Sequence, residues 1–307
     1  MKSWKFPIQA RFFKDNENCS VLLFKFAGNW EEVSGVTSFN KKKMTVKEIA
    51  IAAVAFFLGG LSHSFIIHYL LPHAHRVYAW IFALRNHKKY GIPTKTDLVI
   101  DKDGFSLGYD FDYRGAVWVS YILTKGSVGI DVARSEGFFS EPNVPERFRK
   151  KPEDFTNSGF DKGHLAPSAA IDFTEKSNLE TFSMANVAPQ DPKLNRQGWS
   201  KLEALVREWT YTLGKLVVCT GTIYSARPKK MNGVPIPSHF YKVIYSFKYR
   251  QYIGFVMPNS PVKAREIWNH AKTIKEVEKA TGYKFFAKIK DGSKSKIDVQ
   301  FWEQAHL

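Results

Sequence analysis

"SGFDKGHLAPSAA" at residues 158–170 decides how the rest of the chain is read, because Asp161, Lys162, Gly163 and His164 occupy consecutive positions in it. Asp-x-Gly is ordinary turn chemistry, and one His beside a turn is ordinarily a surface residue. A His with a cationic neighbour also suits reactions on phosphate esters, where the imidazole takes a proton from water and the cation offsets charge on the phosphate. The motif alone leaves both readings open; a metal site close by would decide between them.

Candidates for that site lie downstream. "LNRQGWSKLEALVREWTYTLG" has the spacing of an amphipathic helix over residues 194–213, stopped by Gly214. Asn195, Trp199 and Glu203 recur every fourth position. On an α-helix each step drifts by only about 40°, so the three share one face. An amide oxygen and a carboxylate are hard ligands that Mg²⁺ accepts, and Mg²⁺ keeps several waters, so one or two protein oxygens suffice. Taken singly, Asn195 reads as a helix cap and Glu203 as a surface residue. Paired with the His motif, they read as the second half of a reaction site.

The chain has 307 residues, enough for one large domain or two modest ones, and a formal charge of +16. Such a polycation associates with nucleic acid or anionic lipid, although basic runs are also commonly just solvated faces. Cys19 and Cys219 are too few and too far apart for a disulfide framework or a thiolate metal site, which leaves the redox compartment open.

Residues 1–43 show no clear helical or strand period and end in Lys41, Lys42 and Lys43, so they read as a poorly ordered basic tail. An uncharged apolar run follows, from Ile49 at one end to Ile67 at the other. At 1.5 Å per residue its length matches about 30 Å of hydrocarbon, so residues 44–71 are expected to form a transmembrane anchor. The lysines on its N-terminal side place that side in the cytosol or matrix and the remainder across the membrane. Residues 72–96 read as a juxtamembrane linker, and residues 97–307 as the folded domain. A hairpin is expected around Asp103 and Gly104, a buried strand at "GAVWVSYILT", a short helix and then a loop at Pro189, and further strands in "KLVVCTGTIY" and "SHFYKVIYSFKYRQYIGFVMP". A last short helix is expected at "TIKEVEKATG". No regular βαβ repeat appears, so the class is α+β with mostly antiparallel strands.

"GFDKGHLAPSAA" followed by "MANVAPQDPKLNRQGWSKLE" resembles the DNA/RNA non-specific endonucleases, the family that includes the Serratia-type nuclease and mitochondrial endonuclease G. The family signature is Asp-Arg-Gly-His, then an Asn-x-x-Pro-Gln loop, then a helix carrying Asn, Trp and Glu. The likeness extends over about residues 88–290. It implies a ββα-metal (His-Me finger) nuclease fold, an antiparallel sheet flanked by helices, here preceded by the transmembrane helix. It further implies that His164 is the general base, Asn195 the direct Mg²⁺ ligand, with Mn²⁺ as an alternative, and Glu203 the holder of a metal-bound water. Asn186 and Gln190 match the loop that shapes the substrate site, and Asp161 fixes the motif's own loop. Lys162 departs from the family Arg: it keeps the charge and loses the two-pronged grip on phosphate. Arg134 is the candidate for a further family Arg.

The function so implied is Mg²⁺-dependent, sugar-non-specific hydrolysis of DNA and RNA, leaving 5′-phosphate ends. Two alternatives stand beside it: a phosphodiesterase acting on small nucleotides or other phosphate diesters, and a membrane-tethered nucleic-acid-binding or uptake protein with a decayed site. A bacterial inner membrane with the domain in the periplasm is the favoured setting, and the mitochondrial inner membrane and intermembrane space the other. Oligomeric state is open, a homodimer included.

Overall fold

In the computed structural model the described residues are 9–14, 20–26, 29–32, 86–130 and 132–305. The chain divides into two units, Met1–Leu70 and Leu71–Leu307. In the first, β1 (Gln9–Lys14), β2 (Ser20–Phe26) and β3 (Asn29–Glu32) form an antiparallel sheet where the sequence shows no strand period. The apolar run from Ile49 to Ile67 lies outside the described residues. Among those that are described, no helix is long and apolar enough to cross a membrane.

The second unit is built on a sheet whose first strands are β4 (Leu98–Asp101), β5 (Ser106–Asp110) and β6 (Gly115–Leu123). β4 and β5 are the hairpin expected around Asp103 and Gly104, and every residue of β6 is buried. The chain then leaves the sheet and makes β7 (Asp161–His164), α1 (Glu175–Thr181) and β8 (Val187–Gln190), a π turn at Leu194–Trp199, and α2 (Ser200–Thr212). It returns as β9 (Leu216–Ile223), which pairs directly with β6. The small strands β10 (Lys230–Met231) and β11 (Val234–Pro235) follow, then β12 (His239–Ser246), β13 (Gln251–Pro258) and β14 (Ala271–Lys272). The order across the seven-stranded sheet is β14-β13-β12-β9-β6-β5-β4, with antiparallel pairings throughout. The expected α+β class and antiparallel sheet are therefore what this unit shows.

The two faces of the sheet follow from the period of two along β12. Phe240 and Lys242 point at Trp199, and Ser246 Oγ donates to the Leu213 carbonyl, so this face carries α2. Tyr241 points the other way, against Tyr283 and Phe285 at the end of α3 (Ile274–Thr281). α2 buries Leu202, Leu205, Val206 and Trp209 on the sheet, and Trp209 Nε1 donates to the Trp302 carbonyl in α4 (Val299–Gln304). α3 opens with a capping box, Thr273 Oγ1 accepting from the Glu276 N–H and Glu276 Oε2 from the Thr273 N–H, and closes at Gly282 with φ +75°.

Two local expectations are corrected. Residues 187–190, expected as a loop around Pro189, are strand β8. The β7–β8 ribbon has only two strands, so the missing N–H of Pro189 leaves no ladder bond unmade on its open edge, and its carbonyl accepts from Asn259 Nδ2 at 3.0 Å. The single helix expected over residues 194–213 is a π turn running into an α-helix. Its cap is Asp191, whose Oδ1 accepts from the N–H groups of Lys193 and Leu194. Asn195 is therefore not the cap; its own N–H donates to the Asp191 carbonyl from inside the first turn.

Candidate active site

The β7–β8 ribbon and the start of the long helix face one cleft of ≈ 620 Å³. Asp161, Lys162 and His164 come to it from β7, Asn195 from the π turn and Glu203 from α2, and Arg134 comes from the connection after β6. All six were singled out from sequence, and the structure brings them to one place.

One carboxylate joins the two halves. Asp161 Oδ2 accepts from Asn195 Nδ2 at 2.9 Å and from Arg196 Nε at 2.8 Å, and its Oδ1 accepts from Arg196 Nη2 at 2.7 Å. Partial burial works to raise the Asp161 pKa, but the hydrogen bonds from Arg196 and Asn195 outweigh it and hold the carboxyl below its usual range. The bond to Nδ2 also fixes which way the Asn195 amide is turned. Its donor end is committed to Asp161, so its carbonyl oxygen is the end left for another partner.

His164 packs its ring against Phe138 and Phe182, with centroids 5.3 and 5.2 Å away, and its Nε2 is buried without a hydrogen-bond partner. Burial, helped by the positive charge of Arg134, pulls the imidazole down to about 4. A ring that is neutral at pH 7 can take a proton. Arg134 is fixed by a 2.6 Å bond from Nη1 to Ser168 Oγ and by stacking on Phe182, 5.0 Å from the ring centroid. Lys162 Nζ lies 5.4 Å from the Phe138 ring and 5.7 Å from the Phe155 ring, so two aromatic faces hold the ammonium at the cleft wall.

The Gly of the motif is required by packing. A Cβ at Gly163 would lie 2.6 Å from Gln190 Cβ and collide with Gln190 Oε1. Gln190 is fully buried, with its amide unpaired, and does not line the cleft. Asn186 is likewise interior: Oδ1 accepts from the Ala166 N–H, and Nδ2 donates to the Ala166 and Thr181 carbonyls, each at 2.9 Å. Both residues shape the segment around His164 from behind. Gly163→Ala is expected to lower the stability of the domain by about 1–3 kcal/mol through overpacking, read as a fall of several degrees in Tm. Adding Gln190→Gly removes both the Cβ and the amide that the new methyl group would meet, so the double variant should be more stable than the two single losses summed; a double variant as unstable as that sum would refute the contact.

Glu203 Oε1 is buried without a hydrogen-bond partner. Burial pushes this carboxyl above its usual range, and Lys242, Arg207 and Arg134 pull against that shift. Lys242 is fully buried in β12, its Nζ 4.6 Å from the Trp199 ring centroid and donating to the Tyr121 hydroxyl at 3.3 Å. Sequence reading missed this lysine, which stands inside the apolar run "HFYKVIYS". Arg207 was also missed, although it continues the four-residue spacing from Glu203 and lines the cleft. A third omission is Lys150, a buried ammonium that donates to the Val187 carbonyl and braces β8 from below.

The donors fit a hard divalent cation. Among the described residues no group of three His, Cys, Asp or Glu side chains could hold a metal ion. What lines the cleft is Asn195, whose amide is turned by its bond to Asp161, and Glu203, which has a buried carboxyl oxygen without a hydrogen-bond partner. That is a small oxygen donor set of the kind Mg²⁺ accepts while keeping its waters.

The chain is similar to known nucleases over most of its second unit. The family model for DNA/RNA non-specific endonuclease matches residues 85–292. Mitochondrial endonuclease G of Bos taurus is 34% identical over 221 residues, 66% of this chain and 73% of that protein. Nuclease C1 of Cunninghamella echinulata var. echinulata is 31% identical over 222 residues, 66% of this chain and 87% of that protein. A crystal structure of the EndoG/EndoGI complex, concerned with EndoG inhibition, superposes with a TM-score of 0.62 at 30% identity, over 70% of this chain and 92% of that one.

Proposed function

Since the chain belongs to the DNA/RNA non-specific endonuclease family and is a hydrolytic nuclease acting on nucleic-acid phosphodiester bonds, we propose that it cuts DNA and RNA with His164 as general base and a divalent cation, Mg²⁺ or Mn²⁺, held by Asn195. The observation that carries this reading is the convergence of a neutral His164, an oriented Asn195 amide and an unpaired Glu203 oxygen on one cleft. His164 takes the proton from the attacking water. Arg134 and Lys162 hold the phosphate oxygens, and Lys162 does so as a point charge in place of a two-pronged guanidinium. Asp161 keeps Asn195 turned toward the cleft. A cation held by Asn195, with Glu203 holding one of its waters, would supply Lewis-acid stabilisation of the charge that develops on the phosphate. No base-reading element is needed, and a basic cleft that grips backbone should lose affinity steeply with salt.

The test is cleavage of supercoiled plasmid and of ribosomal RNA by the full-length protein, in Mg²⁺ and in EDTA, beside His164→Ala. Metal-dependent loss of both substrates, abolished in the variant, is the expected result. Turnover confined to small diesters would favour the phosphodiesterase reading, and salt-sensitive binding without cutting would favour the tethered binder.

The apolar run ending at Ile49 and Ile67 is proposed to anchor the enzyme in a membrane, with the basic residues Lys41, Lys42 and Lys43 on the cytosolic or matrix side. The bovine relative is named as mitochondrial, which moves the preferred setting from a bacterial periplasm to the mitochondrial intermembrane space. Release of the native protein from membranes by alkaline carbonate would remove the anchor from this picture.

A further inference from the structure

A second groove, of ≈ 400 Å³, continues from the catalytic cleft and shares Arg134, Ser168 and Arg207 with it. Its far wall is Tyr211. Glu203, Arg207 and Tyr211 follow one another at four-residue spacing on α2, so they form a stripe that advances about 6 Å per step while drifting only about 40° around the helix. Along that stripe the chemistry runs from the carboxylate at the reaction site, to a cation, to a flat ring.

The ring is both exposed and fixed. Tyr211 is 50% exposed, more than any other large hydrophobic side chain among the described residues. Its hydroxyl nevertheless donates to the Val128 carbonyl at 3.2 Å. The neighbouring Gly129 has φ +68°, and a Cβ there would lie 2.6 Å from the Tyr211 hydroxyl oxygen. The loop has thus made room for the ring and holds it at one end. A planar aromatic pinned in place with its face open is what base stacking requires, since little side-chain entropy remains to be lost. Among the described residues Arg134 makes its hydrogen bond to Ser168 Oγ and its ring contact to Phe182, both neutral partners, so its charge stands at the boundary between the two cavities.

We propose that this groove is a subsite for the nucleotide flanking the scissile phosphate, with Arg134 and Arg207 on its phosphate and Tyr211 stacked on its base. The proposal rests on the nuclease reading above. Two carboxylates line this groove, the buried Asp172 and, beside Tyr211, the exposed Glu208; Glu208 opposes a second phosphate at its end and can accept from base amino groups, which assigns that end to the base. A base that leaves its neighbours to stack on a tyrosine belongs to a single strand or to a locally opened duplex, and stacking carries no sequence preference.

The test uses the full-length chain in a His164→Ala background in EDTA, so that binding is measured without cutting. A fluorescent single-stranded oligonucleotide is titrated against that protein, against the same protein carrying Tyr211→Leu or Tyr211→Phe, and against Tyr249→Leu as a control at another exposed tyrosine. Loss of one stacked base corresponds to about a 5- to 150-fold weaker Kd. Tyr211→Leu should fall in that range, Tyr211→Phe should stay within about twofold because the ring remains, and Tyr249→Leu should not change. In the active background, Tyr211→Leu should raise KM on single-stranded substrate more than it lowers kcat. Native affinity in Tyr211→Leu, or an equal loss in the Phe and Leu variants, overturns the subsite. Because binding is read in EDTA, failure of the native protein to cut nucleic acid would sink the nuclease reading while the groove is still decided by the oligonucleotide.

Discussion

Replacing His164 with alanine is expected to lower kcat on plasmid DNA by about 10²–10⁴-fold, the range for loss of a positioned general base. Affinity for uncut nucleic acid should stay within about twofold. The expectation follows from where the imidazole sits. Burial and the charge of Arg134 keep it neutral, and contacts with Phe138 and Phe182 fix its plane, so it meets the substrate already able to accept a proton. In the proposed mechanism phosphate binding falls to other cleft residues, Arg134 and Lys162, which the substitution leaves in place. Single-turnover cleavage and filter binding, measured on the same preparation, separate the two effects. Native-like cleavage by the alanine variant would remove His164 from the chemical step.

Lys242→Met should raise the pH at which activity is lost on the acid side and lower kcat/KM at pH 7 by up to about tenfold, the most that a rise of one pKa unit, or about 1.4 kcal/mol, can remove. Burial already pushes the Glu203 carboxyl up, and Lys242 is the first of the cations that pull against it. Without that ammonium the carboxyl rises further. If the ionised Glu203 is the active form, that form disappears as the pH falls through the raised value, so the acid limb moves toward higher pH and activity recovers in alkaline buffer. Methionine keeps the packing on Trp199 and spares the cost of burying an ammonium, while the Glu203 carboxyl takes up a proton in place of its lost partner, so the fold should not be weakened. The diagnostic combination is a protein that melts at or above the native temperature, cuts poorly at pH 7 and cuts well above pH 8. An unchanged pH profile would separate Lys242 from the chemistry.

Much of the framework was readable because its elements announce themselves locally. The turn at Asp103 and Gly104, the unbroken apolar run of β6 and the Thr273–Gly282 signals around α3 each carry their own chemistry within a few residues. The site was readable by residue type, since Asp161, Lys162, His164, Asn195 and Glu203 all reach the cleft. What the sequence hides is direction. Asn186 and Gln190 belong to the same motif, yet the ribbon turns both inward, where they hold backbone and cover Gly163. Lys150 and Lys242 are opaque for the opposite reason: a lysine reads as solvated, and only the packed sheet shows that these two are not. The π turn at Leu194–Trp199 carries no period that distinguishes it from the α-helix it leads into.

β6 and β9 lie side by side in the sheet, and His164, Asn195 and Glu203 all belong to the chain between them, residues 124–215. Closing a loop of that length delays the pairing of its ends, because its entropy must be lost before the contacts form. A nascent chain that stops short of Leu216 has neither the strand that closes the loop nor the floor on which α2 rests. Competence therefore waits on the synthesis of β9: until that strand is made, residues 124–215 have no sheet edge to close on, and the site residues they carry are not held together.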